Sequence, residues 1–339
     1  MFGSAAEFLA AFPFEEPLGE QVSALLAGAT RAPSTHNSQP WRFKIEAQSV
    51  RIFRDTSVKL PYSDPVSRYA HVSIGFLLQH LAVLADALGM EPRFELVCRE
   101  EEIARVTLAP AKEGSALSPL AEAIFTRRNR RGVFTAASIP AEILEAAQAN
   151  DASARLGVAP ELHVESDSAK AREIGELTFK NMVAVYERPE FRAEMSRWIA
   201  PTGSGRLTGL PGYSLNLPMP LTWLLPPLIK HFNMGKLPGA GSRAAIASAP
   251  ALFGFASAEE PRGWVAVGYA ASYAALTLVS HGYDYSVFVA TIEYPETRAR
   301  VGQLLGLSMP LQFFFVAGKL PGSVSWMTPR LPLSDKIMP

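Results

Sequence analysis

Two stretches of this chain carry side chains that could do chemistry. The first, Ala32-Pro33-Ser34-Thr35-His36-Asn37-Ser38-Gln39-Pro40-Trp41, sets hydroxyl and amide groups between two prolines. Short neutral donors and acceptors on a stiffened loop suit an uncharged polar ligand edge, because no charge has to be desolvated. The same residue types also build helix-to-strand turns. The second stretch, Arg127-Arg128-Asn129-Arg130-Arg131, places four arginines in five positions. Guanidinium groups cannot be buried without partners, and their planar forks match phosphate oxygens in a bidentate way. A solvated basic face is the other reading of such a run. Near the end of the chain, Arg330 stands in Thr328-Pro329-Arg330-Leu331-Pro332-Leu333, a cation positioned by flanking prolines.

Other chemistries have less support. The histidines His36, His71, His80, His163, His231 and His281 show no metal-ligand spacing with a carboxylate, so no metal is expected. There is no Gly-rich dinucleotide fingerprint, Walker-type loop or Ser-centred nucleophile elbow. No side chain is therefore assigned as catalytic, and any enzymatic chemistry falls to a bound cofactor. The 32 basic and 32 acidic residues cancel, which gives no sign of a nucleic-acid partner. Cys98 is the single cysteine, so an internal disulfide is excluded and a reducing, cytoplasmic setting is expected. The uncharged run from Gly263 to Tyr283 is long enough to raise the question of a membrane span. Gly268, Ser272, Ser280 and His281 dilute it and no basic flank marks an end, so it reads as a buried small-residue helix, with no membrane partner.

The elements that must position these groups follow from pattern. Residues 17–29 form an apolar helical run ahead of the polar loop. Trp41–Ile45 and Val50–Phe53 alternate like the arms of a hairpin. A Pro-rich link, Leu60 to Pro65, leads to a helix from about Arg68 to Leu88 closed by Gly89, then to a strand at Arg93–Cys98. Residues 109–119 are the candidate linker between halves.

With an offset of 193, His71-Val72-Ser73-Ile74-Gly75-Phe76 lies on Trp264-Val265-Ala266-Val267-Gly268-Tyr269, Ala82 meets Ala275 and Gly89 meets Gly282. Allowing a two-residue shift, Arg105-Val106 falls on Arg300-Val301. Each half thus carries a long helix ending in Gly and then a strand, the pattern of an ancient duplication, a dimer folded within one chain. The polar loop occurs only in the first half; its counterpart, Ala149 to Pro160, has lost the pattern. The arginine cluster occurs only in the second. A dimer reduced to one functional site would keep complementary pieces of this kind.

These residues resemble the FMN-dependent nitroreductase superfamily. Ala32-Pro33-Ser34-x-x-Asn37-x-Gln39-Pro40-Trp41 is similar to its Ala-Pro-Ser-x-x-Asn-x-Gln-Pro-Trp signature, Arg127 to Arg131 to its Arg-Arg-Ser-x-Arg element, and Pro329 to Leu333 to its closing Arg-Leu-Pro segment. A long chain with one copy of each resembles the duplicated, single-chain subgroup that includes the mycobacterial Acg proteins. The resemblance implies an α+β, nitroreductase-like fold in two tandem halves, residues 1–115 and 116–339. The halves would form an intramolecular pseudo-dimer, with central antiparallel or mixed sheets flanked by helices. It implies one FMN per chain. Arg127, Arg128, Arg131 and Arg330 would hold the phosphate and ribityl chain, with Asn129 in place of the usual Ser. Pro33, Ser34, Thr35, Asn37 and Gln39 would approach from the other half, and Val289 and Ala290 would face the reactive edge of the ring.

The implied activity is NAD(P)H-dependent reduction of nitroaromatic, quinone or related acceptors through the flavin, in a monomer or homodimer. Residues 187–248 form an insertion rich in Pro and aromatics. Four prolines between 218 and 227 argue against a continuous helix there and for a cover over a pocket. If that cover closes over the flavin, the implied alternative is a non-catalytic FMN storage or sensing protein.

Overall fold

A computed structural model describes residues 2–215 and 217–339. The hairpin expected after the polar loop is β1 (Trp41–Ile45) and β2 (Ser49–Arg54), paired antiparallel with Trp41 opposite Arg54 and Ile45 opposite Val50. Together with β3 (Arg93–Arg99) and β4 (Glu102–Thr107) they make an antiparallel sheet of order β1-β2-β4-β3. In the second half, β5 (Glu161–Glu165) is followed by two short strands of the insertion, β6 (Ile199–Ala200) and β7 (Leu210–Pro211), which pair in parallel. Then come β8 (Ala251–Ala256), β9 (Asp284–Val287) and β10 (Leu311–Gly318), which join β5 in a second antiparallel sheet of order β5-β8-β10-β9. The fold class is α+β. In each sheet the spatial order is first, second, fourth, third, and in each half a 20-residue helix runs between the second and third strands.

Those two helices, Arg68–Ala87 and Pro261–Ser280, pack on each other at the centre of the molecule. Both are long and apolar enough to cross a membrane, but 78% of each apolar window is buried inside the fold, so they serve here as core helices. A helix with apolar residues on all sides has to be surrounded, and each is covered by the other helix and by neighbouring strands and helices. Gly89 and Gly282, which end the repeat, both take left-handed backbone at φ 68° and 77°, where a Cβ would be strained.

Two expectations are corrected. Arg105 lies on β4, whereas Arg300 lies on the helix Pro295–Leu304, so the repeat does not extend to that pair. The topological partner of β4 is β10. Second, Met219–His231 is one α-helix despite its prolines. Pro218 is its N-cap and Pro220 lies in the first turn, where backbone N–H groups have no intrahelical acceptor to lose. Pro226 and Pro227 forgo only the bonds to the carbonyls of Thr222 and Trp223.

Candidate functional site

The helix Leu18–Ala29 ends at Thr30 and delivers the polar loop to β1. The loop is strained. His36, Asn37 and Gln39 all have positive φ, near 52–54°, where residues with a Cβ are uncommon and each costs about 1 kcal/mol or more. Side-chain bonds hold that shape. The Gln39 N–H donates to Ser34 Oγ at 2.9 Å, and Gln39 Oε1 accepts from the Leu331 N–H at 2.8 Å.

Arg330 is the main brace. Its Nε donates to the Thr30 carbonyl at 2.8 Å, and Nη2 donates to the carbonyls of Arg31 at 2.8 Å and Ala32 at 2.9 Å. Its Nη1 donates to Asn37 Oδ1 at 3.0 Å and to the carbonyls of Thr328 and Pro329. Arg330 therefore grips the loop from within rather than presenting its fork outward.

Arg127 reaches the same backbone from the second half. It caps the end of the helix Pro119–Thr126, donates through Nη2 to the Arg31 carbonyl at 3.0 Å and through Nη1 to the Tyr285 hydroxyl at 2.9 Å. Arg128 donates through Nε to the Trp326 carbonyl at 2.7 Å and through Nη1 to the carbonyls of residues 125–127. Asn129 and Arg131 lie along β9. Asn129 Oδ1 accepts from the Val287 N–H at 3.1 Å, while Arg131 donates to the Val287 carbonyl at 3.0 Å and stands over the Phe288 ring at 4.8 Å. Arg130 has a structural partner, Asp284, at 3.0 Å. The polar loop, the arginine cluster and the C-terminal segment, far apart in sequence, thus meet at residues 30–39 and 285–290.

The expected Val289 and Ala290 lie in a short 3-10 turn, Val289–Ile292, directly after Phe288. Buried polar groups fix it: Asn181 donates to the Ala290 carbonyl at 2.9 Å and accepts from Thr297 at 3.1 Å, and the Thr178 and Thr291 hydroxyls are 2.8 Å apart. Pro33, Ser34 and Thr35 are half-buried on the loop.

Electrostatically the centre is cationic. Among the described residues no carboxylate is paired with Arg127, Arg128 or Arg330, and the buried Nε of Arg127 has no hydrogen-bond partner. Burial, and then the neighbouring charges of Arg127 and Arg31, pull Arg330 well below the usual guanidinium range. Arg31 is brought down to about 10 by burial and by Arg127 and Arg128. His80, buried below them, is held well under the usual imidazole range by burial and by Arg127, Arg330 and Arg31. Crowded cations at Arg127, Arg128 and Arg330, with no acid paired to them among the described residues, fit a phosphate or similar anion, which would supply several charge-assisted bonds at once.

The insertion closes over the loop. The Leu207 carbonyl accepts from Asn37 Nδ2 at 3.1 Å and from Gln39 Nε2 at 2.9 Å. Tyr213 donates to the Met327 carbonyl at 2.9 Å. Glu194, fully buried, accepts from the backbone N–H groups of Tyr62 at 3.0 Å and Ser63 at 2.9 Å. Trp198 lies 6.2 Å from the ring of His36, whose Nε2 is buried without a partner; burial, with Arg131 adding, lowers His36 to about 4. The amides of Asn37 and Gln39, expected to face a ligand, thus donate to the insertion's backbone. Arg31, Tyr285 and Leu207 are not among the expected site residues. Arg31 adjoins the loop and could have been read as a further cation, whereas a backbone carbonyl such as that of Leu207 leaves no sequence signal.

Fold and site define an α+β protein of two similarly wound halves with a buried, arginine-lined centre covered by an insertion. Its sequence relatives add a partial likeness to proteins named as nitroreductases. It is 31% identical over 127 residues to "Putative NAD(P)H nitroreductase Rv3131" of Mycobacterium tuberculosis, a match covering 37% of each chain. It is 36% identical over 112 residues to "Putative NAD(P)H nitroreductase acg" of the same species, covering 31% of this chain and 33% of that one. The matches span little more than a third of these relatives' length. No protein-family profile matches the chain. Among solved structures, it is similar to an FMN and NADPH-dependent nitroreductase, NfnB, from a Sphigopyxis strain at TM-score 0.40 and 20% identity, covering 65% of this chain and 97% of that one. NfnB from Mycobacterium smegmatis in complex with NADPH gives TM-score 0.40 and 17% identity, covering 62% and 92%.

Proposed function

We propose that this chain is an FMN-binding oxidoreductase of the nitroreductase type, built as an intramolecular pseudo-dimer with halves meeting near residue 115. The observation that carries the reading is the cluster of buried Arg127 and Arg330 with half-buried Arg128. Among the described residues it is paired with no carboxylate, and it is assembled from one half's arginines against the other half's polar loop. Arg127, Arg128 and Arg131 would hold the phosphate and ribityl chain, with Asn129 beside them. Arg330 acts on the ligand through the loop that it braces. Pro33, Ser34 and Thr35 would line the first-half side, with Asn37 and Gln39 shaping the loop behind them through their bonds to Leu207, Arg330 and Leu331, and the turn at Val289 and Ala290 would line the other.

Bound FMN would supply hydride acceptance from NAD(P)H and delivery to a nitroaromatic, quinone or related acceptor. The chain's own contribution is to bind, to orient and to exclude water. The wholly uncharged hydrogen-bonding set on the polar loop suits a neutral ring edge, and the cations suit the phosphate end. Purified protein should be yellow, and anaerobic NADPH or NADH should bleach it. A yellow protein that neither nucleotide bleaches would sink the catalytic reading.

A second reading, flavin storage or sensing, is favoured by the closed insertion, which ties the Asn37 and Gln39 amides to Leu207. On that reading the intact protein holds FMN without reacting with nicotinamide, and deleting 211–236 exposes it.

A further inference from the structure

The insertion also carries an exposed apolar face. The helix Met219–His231 sends only Thr222, Leu225 and Ile229 inward. The rest of its circumference, together with the turn that follows, is apolar and exposed at Met219, Trp223, Leu224, Leu228, Phe232 and Leu237, from 40% at Leu228 to 72% at Leu237. A helix that is apolar all round is stable in water only if something covers it. Along the insertion the charge pattern is one-sided beyond Glu187, Glu190 and Glu194. From Met195 to Ala258 the sequence contains no Asp or Glu, while Arg197, Arg206, Lys230, Lys236 and Arg243 lie in the same segment of a chain whose net charge is zero. Arg206 and Arg243 have protein partners, the Ile199 carbonyl and Glu176. Lys230 and Lys236 are exposed beside the apolar face and in no ion pair among the described residues.

We propose that this face docks on an anionic lipid surface, the apolar residues entering the boundary between headgroups and acyl chains and Lys230 and Lys236 meeting the phosphates. An apolar helix lying in the interface plane with a basic rim and a Trp is the arrangement that such surfaces retain. A second copy of the chain fits less well, because a two-fold contact through this face would bring the same lysines toward each other with no acid in residues 195–258 to receive them. The proposal contradicts the expectation of no membrane partner. It is independent of the flavin reading, since none of its residues belongs to the candidate flavin site.

Full-length protein is sedimented with vesicles of phosphatidylcholine alone and of equal parts phosphatidylcholine and phosphatidylglycerol, with tryptophan emission read in parallel. Binding to the anionic vesicles, a blue shift and release by salt are expected. The exposed double substitution Lys230→Gln with Lys236→Gln should weaken binding by more than tenfold, about fivefold per lysine. Leu224→Glu with Leu228→Glu should abolish it while leaving the circular dichroism of the fold unchanged. Absence of binding to anionic vesicles would overturn the proposal, as would binding indifferent to Leu224→Glu with Leu228→Glu. A concentration-dependent dimer lost in that variant, without vesicle binding, would assign the face to a second copy instead.

Discussion

Gly75 and Gly268 meet where the two long helices cross, and they do so reciprocally. A Cβ on Gly75 would collide with the Val265 carbonyl, and one on Gly268 with the Val72 carbonyl. Gly75 and Gly268, like Val72 and Val265, are equivalent positions of the internal repeat, so the repeat is in contact with itself across the centre of the molecule. Two backbones can approach this closely only where neither residue carries a side chain.

Substituting either glycine should therefore be costly. Gly75→Ala or Gly268→Ala forces backbone apart in a packed core, and a loss on the order of 1–3 kcal/mol or more is expected in urea unfolding. Gly241 is the control: it also lies within a helix but has nothing within 4 Å of its Cβ position. Gly241→Ala should be neutral, or stabilising by up to about 1 kcal/mol through helix propensity. Equal effects at Gly75 and Gly241 would mean that the helices do not cross there.

The two-sided grip on the Arg31 carbonyl predicts unequal arginine phenotypes. Arg330→Ala removes bonds to Thr30, Arg31, Ala32 and Asn37, so it should lower thermal stability as well as FMN retention. Arg131→Ala loses the bond to the Val287 carbonyl and its place over Phe288. It should leave the melting temperature nearly unchanged while weakening FMN retention, because each charge-assisted bond is worth about 1.5–3 kcal/mol. Equilibrium dialysis against FMN, run beside thermal melts, separates the two.

Glu194 latches the insertion to the turn at Tyr62 and Ser63. Glu194→Ala leaves those backbone N–H groups without their acceptor, at a local cost on the order of 1–3 kcal/mol. Limited proteolysis should then cut within 199–217 well before the remaining chain, and nicotinamide should reach the flavin faster. Protease resistance equal to that of the unaltered protein would show that the other contacts, at Leu207 and Tyr213, suffice.

Near the turn that follows Phe288, a cavity of about 170 Å³ is bordered by Asp64, Arg68, Tyr69 and Glu293. Asp64 caps the helix Arg68–Ala87 by accepting from the N–H groups of Tyr69 and Ala70 at 3.1 and 2.9 Å. Burial raises the carboxyl of Asp64 to about 6 and, against the opposing pull of Arg68, that of Glu293 to about 7. A carboxyl raised in the folded state binds its proton more tightly there than when unfolded. Its favourable contribution is thus full below the unfolded value and is lost as pH rises through the folded one. Glu293→Gln removes the penalty, so its stability relative to the unaltered protein should rise between about pH 4.5 and 7, by on the order of 3 kcal/mol, and then level off. A difference independent of pH across that window would place Glu293 in water.

Much of the frame was legible from residue patterns. Alternation at Trp41–Ile45 gave the hairpin, and Gly89 and Gly282 marked helix ends because left-handed backbone there favours glycine. The match of Arg105 with Arg300 failed because two identical residues carry no information on whether they lie on a strand or a helix. The helix Met219–His231 was hidden because its prolines were counted rather than placed: two of them fall where a helix begins. At the site, the residue types pointed to a cationic centre beside a neutral loop. The left-handed turns at His36, Asn37 and Gln39 were not legible, since none is glycine and the conformation is imposed by Arg330, Leu331 and Leu207 from elsewhere in the chain.

The central claim is that one composite site, built from the first half's loop and the second half's arginines, holds a flavin phosphate. Its most direct test is a fluorescence titration of FMN into flavin-free protein, repeated with Arg127→Ala and Arg131→Ala. The account predicts saturation at one FMN per chain, with affinity at least tenfold weaker in each variant, as the loss of one charge-assisted bond requires. No uptake by the unaltered protein, or equal affinity in all three, would contradict it.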